Sequence, residues 1–278
     1  MDQNKLKKLQ ITLTDMLVDI ARVCDENDIT YFLSDGALLG AAREGKFIPW
    51  DDDIDISMPY EDYLRFLSIG QQMLGEKYFL QTNDTDRNWF MGFSKVRLRN
   101  TTFMMDYHNS WYSHGEIFID VFPLACVSGK LDYKIKNIVY IASSYLLMDG
   151  FFHAMKDAFH EELGSLKCML LEGLYRIPYE TRHRWKKRTL NYALSGKQKS
   201  RCEYTEAWRK LGGPYPASLV ADSPKEIEFE GRVFKTYSDY IAFLETAYGH
   251  DWQTPKYKEK GHDRMIIDFE KDYTLYLQ

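Results

Sequence analysis

Apolar residues recur at Leu6, Leu9, Leu13, Met16, Leu17, Ile20, Val23 and Cys24. This three-and-four spacing predicts a helix with one buried face, ending at Asn27 and Asp28. A β-prone run over 30–33 then leads through Ser34, Asp35 and Gly36 into a small-residue helix over 37–43, which reads as strand, tight turn and helix start. Over 53–57 the period drops to two, as in a strand with one wet and one buried face, and Pro59 ends it. A second amphipathic helix is predicted over 60–74, with Tyr63, Phe66, Leu67 and Gly70 on one side. Strand-like runs follow at 78–81, 93–98, 102–105 and 116–122. Beyond Pro123 the pattern turns helical over 131–211, punctuated by Gly150, Gly164, Pro178 and Gly196. A hairpin is expected over 226–236 around Glu230-Gly231, then a last helix over 238–248 and a polar tail.

This order predicts an α/β (α+β) fold. Its expected parts are a mixed sheet with helices over 1–125 and a mostly helical part with a hairpin over 126–278. The apolar stretch 138–148 is about half the roughly 20 residues a spanning helix needs and reads as a buried helix, with a membrane-surface role as the alternative.

Composition narrows the class. With 45% hydrophobic and 15% aromatic residues, the chain of 278 residues can bury a substantial core and is not disordered. Its 36 basic and 41 acidic side chains leave a net charge of −5, which argues against gripping nucleic acid by its phosphates. Cys24, Cys126, Cys168 and Cys202 are far apart with no C-x-x-C pair, so they read as core thiols in a reducing compartment. The N-terminal residues carry no apolar stretch of the secretory kind, so a cytoplasmic location is expected, with the inner face of the membrane as a contact site.

The chemistry concentrates at 48–56, IPWDDDIDI, where Asp51, Asp52, Asp53 and Asp55 crowd into five positions. Read as a strand, this segment puts Asp51, Asp53 and Asp55 on one face. Carboxylates that close repel one another unless a cation sits among them, and hard oxygen donors suit Mg²⁺ or Mn²⁺. Gly36, between a strand and a helix, offers a turn whose amides face an anion. In 116–121, EIFIDV, Asp120 lies between large apolar residues and supplies a third acid. Lys95 and Arg97 share a strand face and are candidate phosphate cations, as is Arg43, which could equally pair with Asp51 or Asp52. Trp50, Trp89, Phe90, Trp111 and Tyr112 are available to box a quaternary ammonium, and are as readily core residues. The segment 182–201 carries eight basic residues and no acid, which reads either as a solvated helix face or as a surface for anionic lipid or lipid-linked glycan.

The run 33–63, LSDGALLGAAREGKFIPWDDDIDISMPYEDY, resembles the signature of the LicD family of phosphotransferases, which is related to fukutin and belongs to the nucleotidyltransferase superfamily typified by DNA polymerase β. Lys95-Val96-Arg97 before Asn100-Thr101, IFIDVFPL at 117–124, FEGRVF at 229–234 and YGHDWQTPK at 248–256 match in the same order. The resemblance implies a nucleotidyltransferase-like fold. It also implies an enzyme that moves a phospho-alcohol, phosphocholine above all, from a CDP-linked donor such as CDP-choline to a hydroxyl of a cell-surface glycan such as lipopolysaccharide or teichoic acid, releasing CMP. By position, Asp53 and Asp55 match the metal-binding acid pair, Asp51 a further acid, and Asp120 the third acid and general base. Gly36 matches the glycine of a Gly-Ser turn, with Ala37 in place of the hydroxyl residue. His262 aligns with a C-terminal histidine of the family, with a plain surface histidine as the alternative. Two other readings use the same fold: a nucleotidyltransferase that releases pyrophosphate, and a catalytically silent glycan- or nucleotide-binding module.

Overall fold

In the computed structural model, residues 2–105, 114–154, 164–196, 201–204, 219, 223–255 and 265–277 are described. Helix α1 (Gln3–Glu26) starts at Asp2, whose carboxylate accepts hydrogen bonds from the amides of Asn4 and Lys5. Its periodic face, Leu9, Leu13, Met16, Leu17, Ile20 and Val23, is fully buried. Strand β1 (Phe32–Ser34) passes directly into α2 (Asp35–Glu44), which stops at Gly45 in a left-handed conformation. Strand β2 (Asp55–Pro59) leads into α3 (Tyr60–Leu74), which buries Tyr63, Phe66 and Gly70. Three strands follow: β3 (Tyr78–Gln81), β4 (Ser94–Leu98) and β5 (Thr102–Met105).

Strand β6 (Phe118–Val127) runs through Pro123, where the sequence pattern predicts a stop. The main-chain N–H of Asp120 bonds to Ile54 on the β2 side, so by alternation the nitrogen of Pro123 points to the opposite edge. On that edge β4 pairs only as far as Val121, and β7 (Arg201–Tyr204) begins its pairing at Leu124. Proline falls in the gap between them and forfeits no ladder bond.

The main sheet has the order β1-β2-β6-β4-β3, with β7 pairing β6 beyond β4. Only β2 and β6 run parallel; the other neighbours are antiparallel. This is the mixed α/β architecture expected. Helices α4 (Lys130–Tyr145), α5 (Asp149–Ala154), α6 (Ser165–Tyr175) and α7 (Tyr179–Leu194) follow, so the predicted helical stretch is interrupted at 201–204 by a strand. The predicted buried helix over 138–148 is also revised. Helix α4 ends at Tyr145 and exposes Ile138, while Leu147 and Met148 beyond it are buried.

Strands β8 (Lys225–Phe229) and β9 (Arg232–Thr236) form the expected hairpin, with Glu230 and Gly231 both at positive φ (51° and 70°) as a tight two-residue turn requires. After α8 (Tyr240–Tyr248), the expected polar tail holds a strand, β10 (Met265–Asp268), paired antiparallel with β5. One large core joins α1, the sheet and α3 to Phe229, Phe234, Phe243, Leu244, Trp252 and Ile267 from the C-terminal part. No helix among the described residues is long and apolar enough to cross a membrane.

Candidate active site

Strand register assembles the polar row at one end of the sheet. Ser34 pairs with Asp55, Asp55 with Asp120, Asp120 with Lys95, and Lys95 with Gln81, a line crossing β1, β2, β6, β4 and β3. Ile117, Ile119 and Val121 turn into the core at 0% exposure, which leaves Phe118 and Asp120 on the other face, as alternation predicts.

The acidic run divides differently from the expected strand. Strand β2 begins only at Asp55, and Asp51 and Asp53 lie in the loop before it. That loop is pinned from two sides: Gln10 of α1 donates to the main-chain carbonyl of Asp51 at 2.9 Å, and the amide of Asp51 donates to Ile48 O at 2.9 Å. The turn brings carboxylate oxygens of Asp51, Asp52 and Asp53 all within 4.8 Å of one another. Oxygens gathered this closely, from a chain with no cationic residue between Lys46 and Asp55, are a donor set that fits a hard divalent cation. Asp52, buried beside Asp51, was not among the acids the sequence pattern assigned to the metal, because a strand would have turned it to the opposite face.

Gly36 sits directly under this cluster. A β-carbon there would lie 2.5 Å from Oδ2 of Asp51, so only glycine admits the carboxylate against the first turn of α2. Asp35, just before it, holds φ at 47° and is nearly buried. A non-glycine residue in that region costs energy and marks a position held by its surroundings.

Burial, then the charges of Asp53, Asp35 and Asp120, push the Asp55 carboxyl well above the usual carboxylate range, against the opposing pull of Lys95. Asp120 is also raised, by burial first and by Asp53, although its Oδ1 lies 2.5 Å from Lys95 Nζ. The Lys95 ammonium sits 3.3 Å from the Phe118 ring centroid, with Trp89 and Phe93 at 5.7 and 5.6 Å. Trp89 of the five candidate box aromatics therefore faces a cation supplied by the protein itself. Phe90 packs with Leu147, Met148 and Phe151 in a separate cluster, and Trp50 lines a small pocket with Arg43, Pro49 and Pro255. Trp111, Tyr112 and His262 lie outside the described residues.

Arg97 shares the Lys95 face, as predicted, but it is held by protein groups. Its Nε donates to Gln81 Oε1 at 2.6 Å and its Nη1 to the Glu116 carbonyl at 3.0 Å. Gln81 in turn donates to Asp86 Oδ2 at 2.6 Å, so Arg97 closes a buried network beside the acids. Arg43 is placed away from the cluster. It lies eight residues, about 12 Å of helix rise, beyond Asp35. Its guanidinium donates to the main-chain carbonyls of Trp252 and Thr254, and neither expected partner, Asp51 or Asp52, is among the contacts described for it. A cavity of about 430 Å³ opens between α3, residues 82–84 and α7 on the opposite face of β4, lined by Tyr60, Tyr63 and Ser94 and by none of the five acids at 51–55 and 120.

The carboxylates are thus gathered where a strand-turn-helix meets the two parallel strands of a mixed sheet. Residues 28–149 match the family model described as LicD/FKTN/FKRP, nucleotidyltransferase domain. The chain is 38% identical over 77 residues to the lipopolysaccharide cholinephosphotransferase LicD of Haemophilus influenzae, covering 28% of this chain and 29% of that protein. It is 44% identical over 43 residues to the ribitol 5-phosphate transferase FKRP of human and of mouse, covering 16% of this chain and 9% of those proteins. The aligned segments thus span less than a third of each relative's length.

Proposed function

We propose that this protein transfers a phospho-alcohol, phosphocholine in the first instance, from a CDP-linked donor to a hydroxyl of a cell-surface glycan, releasing CMP. The observation that carries the reading is the gathering of Asp51, Asp52 and Asp53 on one loop, with Asp55 and Asp120 paired on adjacent strands, inside a LicD-type domain. Asp51, Asp53, Asp55 and Asp120, joined by Asp52, are the residues that would hold Mg²⁺ or Mn²⁺. Such an ion supplies charge neutralisation of the donor pyrophosphate and of the departing CMP.

The chain's own groups do the rest. Asp120 accepts the proton of the attacking hydroxyl through the carboxylate that Lys95 now holds at 2.5 Å. Lys95, released from that pair, is the cation nearest the acids and the one able to meet a donor phosphate. Arg97 keeps the β3-β4 network rigid behind it, and its guanidinium contributes charge at longer range. Gly36 keeps Asp51 seated against α2, so that the loop holds its carboxylates in place before substrate arrives.

The test is a product assay with CDP-choline, CDP-ribitol, CDP-glycerol and CDP-ethanolamine in the presence and absence of Mg²⁺. Cation-dependent CMP release from one of them is the expected result. Release of pyrophosphate from a nucleoside triphosphate, with none of the CDP-alcohols consumed, would transfer the assignment to nucleotidyl transfer. Ligand binding with no turnover would leave a binding module.

A further inference from the structure

Eight of the fifteen large apolar side chains that stand exposed among the described residues belong to α4, α6 and α7. On α4 they fall at Leu131, Ile135 and Ile138, a spacing of four and three that makes one continuous stripe, exposed by 72, 43 and 67%. Helix α6 repeats the arrangement with Leu166, Met169 and Leu170, exposed by 68, 59 and 64%. On α4 the opposite side is the one that packs, through Lys136, Tyr140, Ser143 and Ser144. Each helix therefore buries one face and offers a second apolar face to solvent, which a solvated surface helix does not need.

The exposed charges on these helices are mostly basic. Lys130 and Lys134 on α4, Lys167 and Arg176 at α6, and Arg184 and Arg188 on α7 are exposed, whereas the one exposed acid among the described residues of these three helices is Glu180. In a chain of net charge −5, this is a local reversal. Trp185 and Tyr192, one heptad apart on α7 and exposed by 40 and 50%, add the amphipathic rings that settle at a polar-apolar boundary. Apolar stripes bordered by lysine and arginine, with no segment among the described residues long enough to span, fit a bilayer surface.

We propose that the α4 and α6 stripes lie in the interface of an anionic membrane, with the flanking cations on the headgroups. Leucine, isoleucine and methionine enter the boundary between headgroups and acyl chains, about 5–10 Å deep. None of the stripe residues is among the carboxylates or cations of the site, so the stripes would bring the protein to a lipid surface without using any group of the site.

The experiment is co-sedimentation of the full chain with vesicles of phosphatidylglycerol and phosphatidylcholine, against phosphatidylcholine alone. At least a tenfold preference for the anionic vesicles is expected. Ile135→Gln with Ile138→Gln, and separately Leu166→Gln with Leu170→Gln, keep the net charge and replace exposed residues; each pair should weaken binding at least tenfold at an unchanged melting temperature. Arg184→Gln with Arg188→Gln should weaken binding and reduce its dependence on salt. The proposal is overturned if the wild-type chain ignores anionic vesicles, or if both glutamine pairs bind like wild type. A concentration-dependent dimer that the Ile135 and Ile138 changes dissociate, without vesicle binding, would also overturn it and make the stripe a contact between copies of this chain. None of these readouts depends on turnover, so a failure here is distinct from failure of the transferase reading.

Discussion

Lys186 shows how far a single residue can be displaced from its solution chemistry. Its ammonium is fully buried on α7 and donates to the carbonyls of Phe90 (2.6 Å) and Ser143 (3.3 Å), with no carboxylate among these partners. Burial brings its pKa down to about 7 from 10.5. The unfolded chain therefore binds more protons than the folded one between about pH 7 and 10.5, and this residue makes stability rise with pH across that window. Below pH 7 both states are charged and the folded state carries the whole penalty, on the order of a few kcal/mol. Lys186→Met should flatten the rise in urea midpoint between pH 7 and 10. A slope unchanged by the substitution would mean that the ammonium is hydrated in solution. Gly36 acts at the same scale by having no side chain. Gly36→Ala places a methyl group against the Asp51 carboxylate and should cost about 1–3 kcal/mol in stability. It should also weaken Mg²⁺-induced thermal stabilisation, because the loop must shift.

At the scale of elements, Arg43 is a tether. It fastens the end of α2 to the main chain at Trp252 and Thr254, and the hairpin does the same from the other side, where Glu230 accepts the amide of Phe47 at 3.0 Å. Arg43→Ala should lower stability by about 1 kcal/mol, chiefly through the part-buried carbonyl of Trp252, since water can reach that of Thr254. The donor KM should stay unchanged in the protein that remains folded; a large rise in KM at unchanged stability would restore the phosphate role. The parallel pairing of β2 with β6 makes the opposite kind of contribution, since it sets two carboxylates side by side at a cost. Asp53→Asn with Asp55→Asn should reduce turnover at least a thousandfold while leaving the circular dichroism spectrum intact. The same double change should remove the stabilisation by Mg²⁺ without lowering the melting temperature measured in chelator, because the carboxylates repel one another when no cation is bound.

For the whole molecule this repulsion becomes a dependence on pH. Asp55 and Asp120 hold protons more tightly folded than unfolded, so ionising them as pH rises above the ordinary carboxylate range opposes folding. In chelator, stability should therefore decline as pH rises above about 4, and millimolar Mg²⁺ should offset the decline. A cation effect of equal size in the Asp53/Asp55 double variant would remove the site from the acids.

Much of this architecture was legible along the chain, because local periods encode it. The three-and-four spacing of α1 and α3, the alternation of Ile117, Ile119 and Val121, and the Glu230-Gly231 turn each depend on neighbours within a few residues. The acidic run was legible as chemistry for the same reason, since Asp51, Asp52, Asp53 and Asp55 are near neighbours in the chain itself. What the sequence left open is what depends on partners far away. Strand β10 exists by pairing with β5, and β7 by pairing with the end of β6; neither has a periodic pattern of its own. The loop at 51–54 looked like a strand until Gln10 pinned it, and that turn is what brought Asp52 to the cluster. Arg43, Lys95 and Arg97 were equivalent as cations in the sequence. Tertiary structure separated them, because a charge taken from water must find its partners wherever the fold puts them: main-chain carbonyls for Arg43, a glutamine network for Arg97, and Asp120 for Lys95.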